Sequence, residues 1–159
     1  MKKIIFSAVI ALAAFTQVKA QDAVDQSRLL KVLQSYYSVK DALVSGDAAA
    51  ASAGATAFIK NLNGISYKLI SEGNVNVLLH DAGTIADAKT IDKQRNAFAN
   101  FSTNMTTLAK TLKLSDEPVY IQYCPMKKAS WLSSEQGIKN PYYGNAMLSC
   151  GKVVETIGQ

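Results

Sequence analysis

Both cysteines of the chain, its only tryptophan and two of its four methionines fall within CPMKKASWLSSEQGIKNPYYGNAMLSCG, residues 124–151. Cys124 and Met126 lie two apart, and Met147 and Cys150 three apart. Thiolate and thioether sulfurs are soft ligands that favour Cu(I) over hard cations. If the chain folds the two ends of this stretch together, Cys124, Met126, Met147 and Cys150 converge on one ion, with Trp131, Tyr142 and Tyr143 placed to shield it. The same two cysteines have a plainer use. A Cys124–Cys150 disulfide would close a loop of 26 residue steps, stabilising a small domain by roughly 3.5 kcal/mol in the chain-entropy picture. Met126 and Met147 would then be gap-fillers of an irregular core. Residue types and spacing leave both readings open.

Other chemistry is poorly supplied. Zinc needs four nitrogen or sulfur ligands in tetrahedral array, and beyond the two cysteines the chain has a single histidine, His80, far off in sequence beside Asp81. With one His and no C-x-x-C pair, neither nucleophilic catalysis nor thiol exchange has its usual parts, so no enzyme is expected. Asn100-Phe101-Ser102 and Asn104-Met105-Thr106 match a glycosylation acceptor pattern, but both fall inside an expected helix.

The N-terminus sets the compartment. MKKIIFSAVIALAAFTQVKAQ has a basic start, an apolar run of about a dozen residues and Val18-Lys19-Ala20 before Gln21, the pattern of a cleaved export signal. The run is shorter than the ~20 residues a membrane span requires. The expectation is a periplasmic protein cleaved after Ala20, with no membrane insertion afterwards and residues 21–159 as one domain. Three of the 17 basic residues lie in the leader, leaving 14 against 12 acidic, a net charge of +2. That balance, without a basic cluster beyond Lys127-Lys128, provides no footprint for nucleic acid. An oxidising compartment makes a disulfide the default state of two cysteines.

Four helices must carry this unit. Leu29, Leu30, Leu33, Tyr36, Tyr37 and Leu43 recur at helical steps from about Gln26 to Ser45, with Asp25 or Ser27 as cap. Gly46 and Asp47 then permit an immediate turn into an alanine-rich helix, about Ala48 to Leu62, ended by Gly64. Residues 65–73 read as loop. A third helix is expected from about Val75 to Ala88, with Val75, Leu78, Leu79, Ala82 and Ile85 inward. A fourth follows Thr90, with Ile91, Phe98, Phe101, Met105, Leu108 and Leu112 on one face. Short links favour an up-down bundle, here over residues 21–115. From Pro118 the pattern changes: Val119 to Tyr123 alternates as a strand, and Gly151 to Ile157 is its candidate partner or a last helical turn. The fold class is therefore mainly α, a bundle of about four helices followed by a small irregular/β unit, residues 116–159, around Cys124 and Cys150. In the alternative, a non-catalytic domain closed by the Cys124–Cys150 disulfide, Trp131 and an exposed Asn-Pro-Tyr-Tyr-Gly turn, Asn140 to Gly144, are the expected interaction residues, since aromatics dominate interface hot spots.

The strings VYIQYCPM, WLS, NPYYG and M-x-x-CG resemble an exported bacterial family of unknown function. Its members occur alone and as a C-terminal domain on periplasmic adaptor subunits of heavy-metal efflux pumps. Asp92-Lys93-Gln94-Arg95, with Phe98 and Ser102, is similar to that family's helix preceding the motif. The likeness runs from the fourth helix through Ile157, and over the first three helices only in general character. It implies a link to metal export in the envelope, with an efflux adaptor or a metal donor or acceptor protein as partner. Cys124, Met126, Asn140, Pro141, Tyr142, Tyr143, Gly144, Met147, Cys150 and Gly151 match the motif, and no role comes with them.

Overall fold

The structure, a computed structural model, describes residues 2–158, with side chains from residue 22 onward. Four helices, α1 (Lys2–Ser45), α2 (Ala48–Asn63), α3 (Glu72–Asp87) and α4 (Ile91–Thr111), precede three strands, β1 (Val119–Cys124), β2 (Ala129–Ser133) and β3 (Lys152–Ile157). The leader expected over residues 1–20 lies outside the residues whose side chains are described. The first helix does not start at an Asp25 or Ser27 cap, because no Gly or Pro interrupts the sequence from Lys2 to Ser45. Among the described residues, no helix is long and apolar enough to cross a membrane.

α2 and α4 start at the expected caps, Asp47 and Thr90, whereas α3 starts at Glu72, ahead of the expected Val75 and inside the stretch 65–73 read as loop, because Ser71 caps it. Asp47, Ser71 and Thr90 each accept a hydrogen bond from a backbone N–H three residues on, meeting one of the free donors of a helix start. Gly46, at φ +79°, makes the reversal between α1 and α2. Residues 65–71 form turns, with the amides of Leu69 and Ile70 donating to Ser66 O while Ile65 and Ile70 fill the core. Consecutive helices pack on one another, α1 on α2, α2 on α3 and α3 on α4. On α1 the buried stripe is Leu29, Val32, Leu33, Tyr36, Val39 and Leu43. Leu30, expected inward, is exposed, and Tyr37 and Leu79 are half-buried, since an ideal helical face admits only part of each apolar cluster.

The strands form one antiparallel sheet in the order β2-β1-β3. β2 is an element the sequence pattern hides. Trp131, Leu132 and Ser133 are buried in succession because α4 packs on this strand while the return segment lies over Trp131, so the period-2 alternation vanishes. β3 is the exposed edge. An extra residue, Val154, between Val153 opposite Gln122 and Glu155 opposite Ile121 bends it, a feature that discourages further strand pairing.

Buried polar side chains lock the elements together. Tyr36 of α1 sits with its hydroxyl 2.6 Å from Ser102 Oγ of α4 and accepts the Leu132 N–H of β2 at 3.0 Å. Gln94 of α4 donates through Nε2 to Ala48 O and Ser52 Oγ of α2, both at 2.9 Å. Tyr36, Phe98, Phe101, Tyr142 and Trp131 continue as one chain of aromatic contacts from the bundle into the C-terminal unit.

Candidate metal and thiol site

Cys124 ends β1 in the core, and Cys150 lies half-buried just before β3. Their sulfurs are 3.3 Å apart. Two short backbone devices produce this approach. Past Cys124 the chain reverses through Pro125 to Lys128, where the Lys128 N–H returns to Cys124 O at 2.8 Å with Lys128 at φ +55°. Ahead of Cys150, its own N–H donates to Met147 O at 3.0 Å, so the chain arrives in a tight turn. Gly151 then passes against Trp131, where an added Cβ would lie 2.8 Å from the indole ring.

The two thiols are electrostatically unequal. Burial pushes the Cys124 thiol up, but the Lys127 N–H, the Cys150 thiol, the Asn140 side chain and the Met126 N–H outweigh it and bring it below its ordinary value. Cys150 is pushed up, first by its hydrogen bond with Cys124, then by burial and the Cys124 charge. Of the two, Cys124 is therefore the thiol that ionises first. A thiolate is the form that binds a metal.

Each expected ligand has a distinct position. Cys124 and Cys150 are brought together directly. Met126 reaches both sulfurs through its backbone N–H, while its side chain is 65% exposed on the turn. Met147 is half-buried at the start of the turn that delivers Cys150. His80 is exposed on α3. Among the described residues, no group of three or more His, Cys, Asp or Glu side chains gathers to hold a metal ion.

The Asn-Pro-Tyr-Tyr-Gly segment is folded inward, not displayed. Asn140, Pro141, Tyr142 and Gly144 are buried, Tyr143 is half-buried, and Trp131 is fully enclosed. Asn140 Oδ1 accepts from the Tyr142 and Tyr143 N–H groups, closing the turn from inside. Tyr142 donates its hydroxyl to Ser130 O on the outer edge of β2 and packs against Phe98 and Trp131. Gly144, at φ +54°, lies so close to Arg95 that an added Cβ would stand 2.3 Å from Nη2 and 2.8 Å from Val44 O. Arg95 in turn donates to Leu43 O at 2.9 Å, a cation at the negative end of α1.

Gln122 escaped the sequence reading. It is fully buried on β1 and donates through Nε2 to the carbonyls of Glu135, Gln136 and Gly137, holding the return segment over the sheet. A polar residue in an apolar strand is a signal for such a role, because burial requires a hydrogen-bond partner.

No curated protein and no solved structure matches the chain. A family model described as "Protein of unknown function (DUF3347)" matches residues 32–117. The matched stretch spans the bundle from within α1 through α4 and stops before β1, so it meets the C-terminal motif likeness only in the fourth helix. Since the match covers more than half of the sequence, the chain belongs to the DUF3347 family, proteins of unknown function.

Proposed function

We propose that this is an exported, non-catalytic accessory protein that binds a soft monovalent cation, Cu(I) in the first instance, on the Cys124–Cys150 pair. The observation that carries the proposal is the 3.3 Å approach of the two sulfurs, the buried one being the more acidic. A metal–sulfur bond of about 2.3 Å sets two sulfurs on one ion roughly 3.8 Å apart at a tetrahedral angle and about 4.6 Å apart in line. Cation binding thus asks the pair to open by ~1 Å, which the half-exposed Cys150 turn can supply. Met147, three residues ahead of Cys150, and Met126, two residues past Cys124, are the thioethers this reading would recruit to complete a soft set. The charge order also argues against thiol exchange, since the more acidic thiol is the buried one and an attacking thiolate needs access. An efflux adaptor or another soft-metal carrier in the periplasm is the partner this reading suggests.

A second reading has the same observation behind it. Closing 3.3 Å to a disulfide length of about 2.05 Å would join the end of β1 to the lead of β3 and leave a structural domain. Burial of Asn140, Pro141 and Tyr142 disfavours docking through that turn. A competition titration with a Cu(I) chelator on the reduced protein separates the two. One equivalent bound, with affinity at least a hundredfold lower in Cys124→Ser and lower again when Met126 and Met147 are both Leu, supports the cation site. Equal weak binding by wild type and variants ends it.

A further inference from the structure

We infer that Asn140 is the positioning residue of the thiol pair: it fixes where Cys150 stands relative to Cys124. This rests on reading the pair as a soft-cation site, and gives Asn140, so far only a neighbour of the Cys124 thiol, a geometric task there. Asn140 is fully buried and uses every polar group it has. Its N–H donates to Leu148 O at 2.8 Å, and its carbonyl accepts the Gly144 N–H at 2.9 Å. Its side-chain oxygen accepts the N–H groups of Tyr142 at 2.8 Å and Tyr143 at 3.3 Å. Its side-chain nitrogen donates to Cys150 O at 2.6 Å and also faces the Cys124 sulfur as a donor.

These bonds divide into two tasks. The oxygen shapes the turn that follows, as Asn does in an Asx turn. The nitrogen and the backbone N–H reach across the segment to residues 148 and 150, so one residue closes both ends of the loop carrying Met147 and Cys150. Between Asn140 and Cys150 no strand holds the chain, and the only regular element is the short 3-10 turn Gly144–Ala146. The Cys150 carbonyl is therefore anchored by the Asn140 amide, and its sulfur is held toward β1. Preorganisation of two groups raises their effective concentration toward each other and toward a shared ligand.

Aspartate is the near-isosteric test. Asn140→Asp keeps oxygen acceptors for the Tyr142 and Tyr143 amides and removes the donor that Cys150 O and the Cys124 sulfur share. The measurement is the equilibrium of the full reduced protein with a glutathione redox buffer, read by mass after alkylation. Each Cys124–Cys150 disulfide formed converts one oxidised glutathione into two reduced, so the constant reports how well the sulfurs are held together. A tenfold or greater fall in this constant, with a comparable loss of Cu(I) affinity and an unchanged circular-dichroism spectrum, is the expected result. Tyr142→Phe, which loses the loop bond to Ser130 O but none of the Asn140 bonds, should stay within about threefold of wild type. Equal constants for wild type and Asn140→Asp, or an equal fall in Tyr142→Phe, overturn the assignment. If Asn140→Asp does not fold, nitrogen NMR of the wild type decides. The Asn140 side-chain amide should shift on conversion from dithiol to disulfide, and an unmoved resonance overturns it. Absence of Cu(I) binding by wild type, with the glutathione effect intact, would refute the soft-cation reading and leave the role of Asn140 standing.

Discussion

Tyr36 places one hydroxyl among three elements: it belongs to α1, lies against Ser102 of α4 and accepts the Leu132 amide of β2. Removing that oxygen leaves a buried N–H and a buried hydroxyl without their partner, at a cost of about 1–3 kcal/mol. Tyr36→Phe should therefore lower the melting temperature by roughly 3–10 °C, whereas Tyr67→Phe, at a ring 61% exposed, should change nothing. A thermal scan of the two variants checks this, and equal melting temperatures would mean the hydroxyl is compensated by water. Helical spacing marked Tyr36 as a core residue but could not reveal its task, because its partners lie 66 and 96 residues away. The thiol site divides the same way. Composition singled out Cys124 and Cys150, and folding brings them together. Asn140, Pro141 and Tyr142 stand out by type but not by orientation, since nothing local tells an inward turn from an outward one. What turns the segment inward is a set of long-range bonds to Ser130 O, Cys150 O and the Phe98 ring.

At the scale of elements, two helical glycines look alike in sequence and differ in surroundings. Gly54 of α2 faces α1, where an added Cβ would stand 3.2 Å from both Val39 Cγ2 and the Val39 backbone nitrogen. Gly83 of α3 has nothing within 4 Å of that position. Alanine gains up to ~1 kcal/mol over glycine inside a helix. Gly83→Ala should realise that gain, while Gly54→Ala must push α1 and α2 apart and lose more than it gains, a net fall of about 1–3 kcal/mol. Urea unfolding of both variants tests the contrast, and stabilisation by Gly54→Ala would show the α1–α2 contact to be loose. The helices themselves were largely legible, since caps at Asp47 and Thr90 and the apolar period name α2 and α4 nearly to the residue. β2 was not, because coverage on both faces erases alternation and its hairpin turn reads as part of an irregular stretch.

For the whole molecule, the question is whether the bundle and the C-terminal unit unfold as one. Tyr36 joins α1 and α4 to β2, and Tyr142 packs between Phe98 of α4 and Trp131 of β2, so neither part buries its aromatic face without the other. High pH strains this seam in particular. Burial raises the hydroxyls of Tyr36, Tyr37 and Tyr142 above the ordinary tyrosine value, with the charge of Tyr142 adding at Tyr36. A group whose folded pKa is raised keeps its full contribution to stability below its unfolded pKa. Above pH ~10 the unfolded chain releases these protons while the native state retains them, so stability must fall as pH rises. Each retained proton contributes a slope of about −1.4 kcal/mol per pH unit, roughly −4 for the three together. Tyr142→Phe should flatten that slope by about a third, after any loss of stability at neutral pH is subtracted. Trp131, the single tryptophan, reports the C-terminal unit by fluorescence, and far-ultraviolet circular dichroism reports the helices. Urea curves between pH 8 and 11 should coincide by both probes and shift together to lower midpoints. Separate transitions, or a tryptophan signal lost before the helical one, would show that the thiol unit is an independently folding appendage.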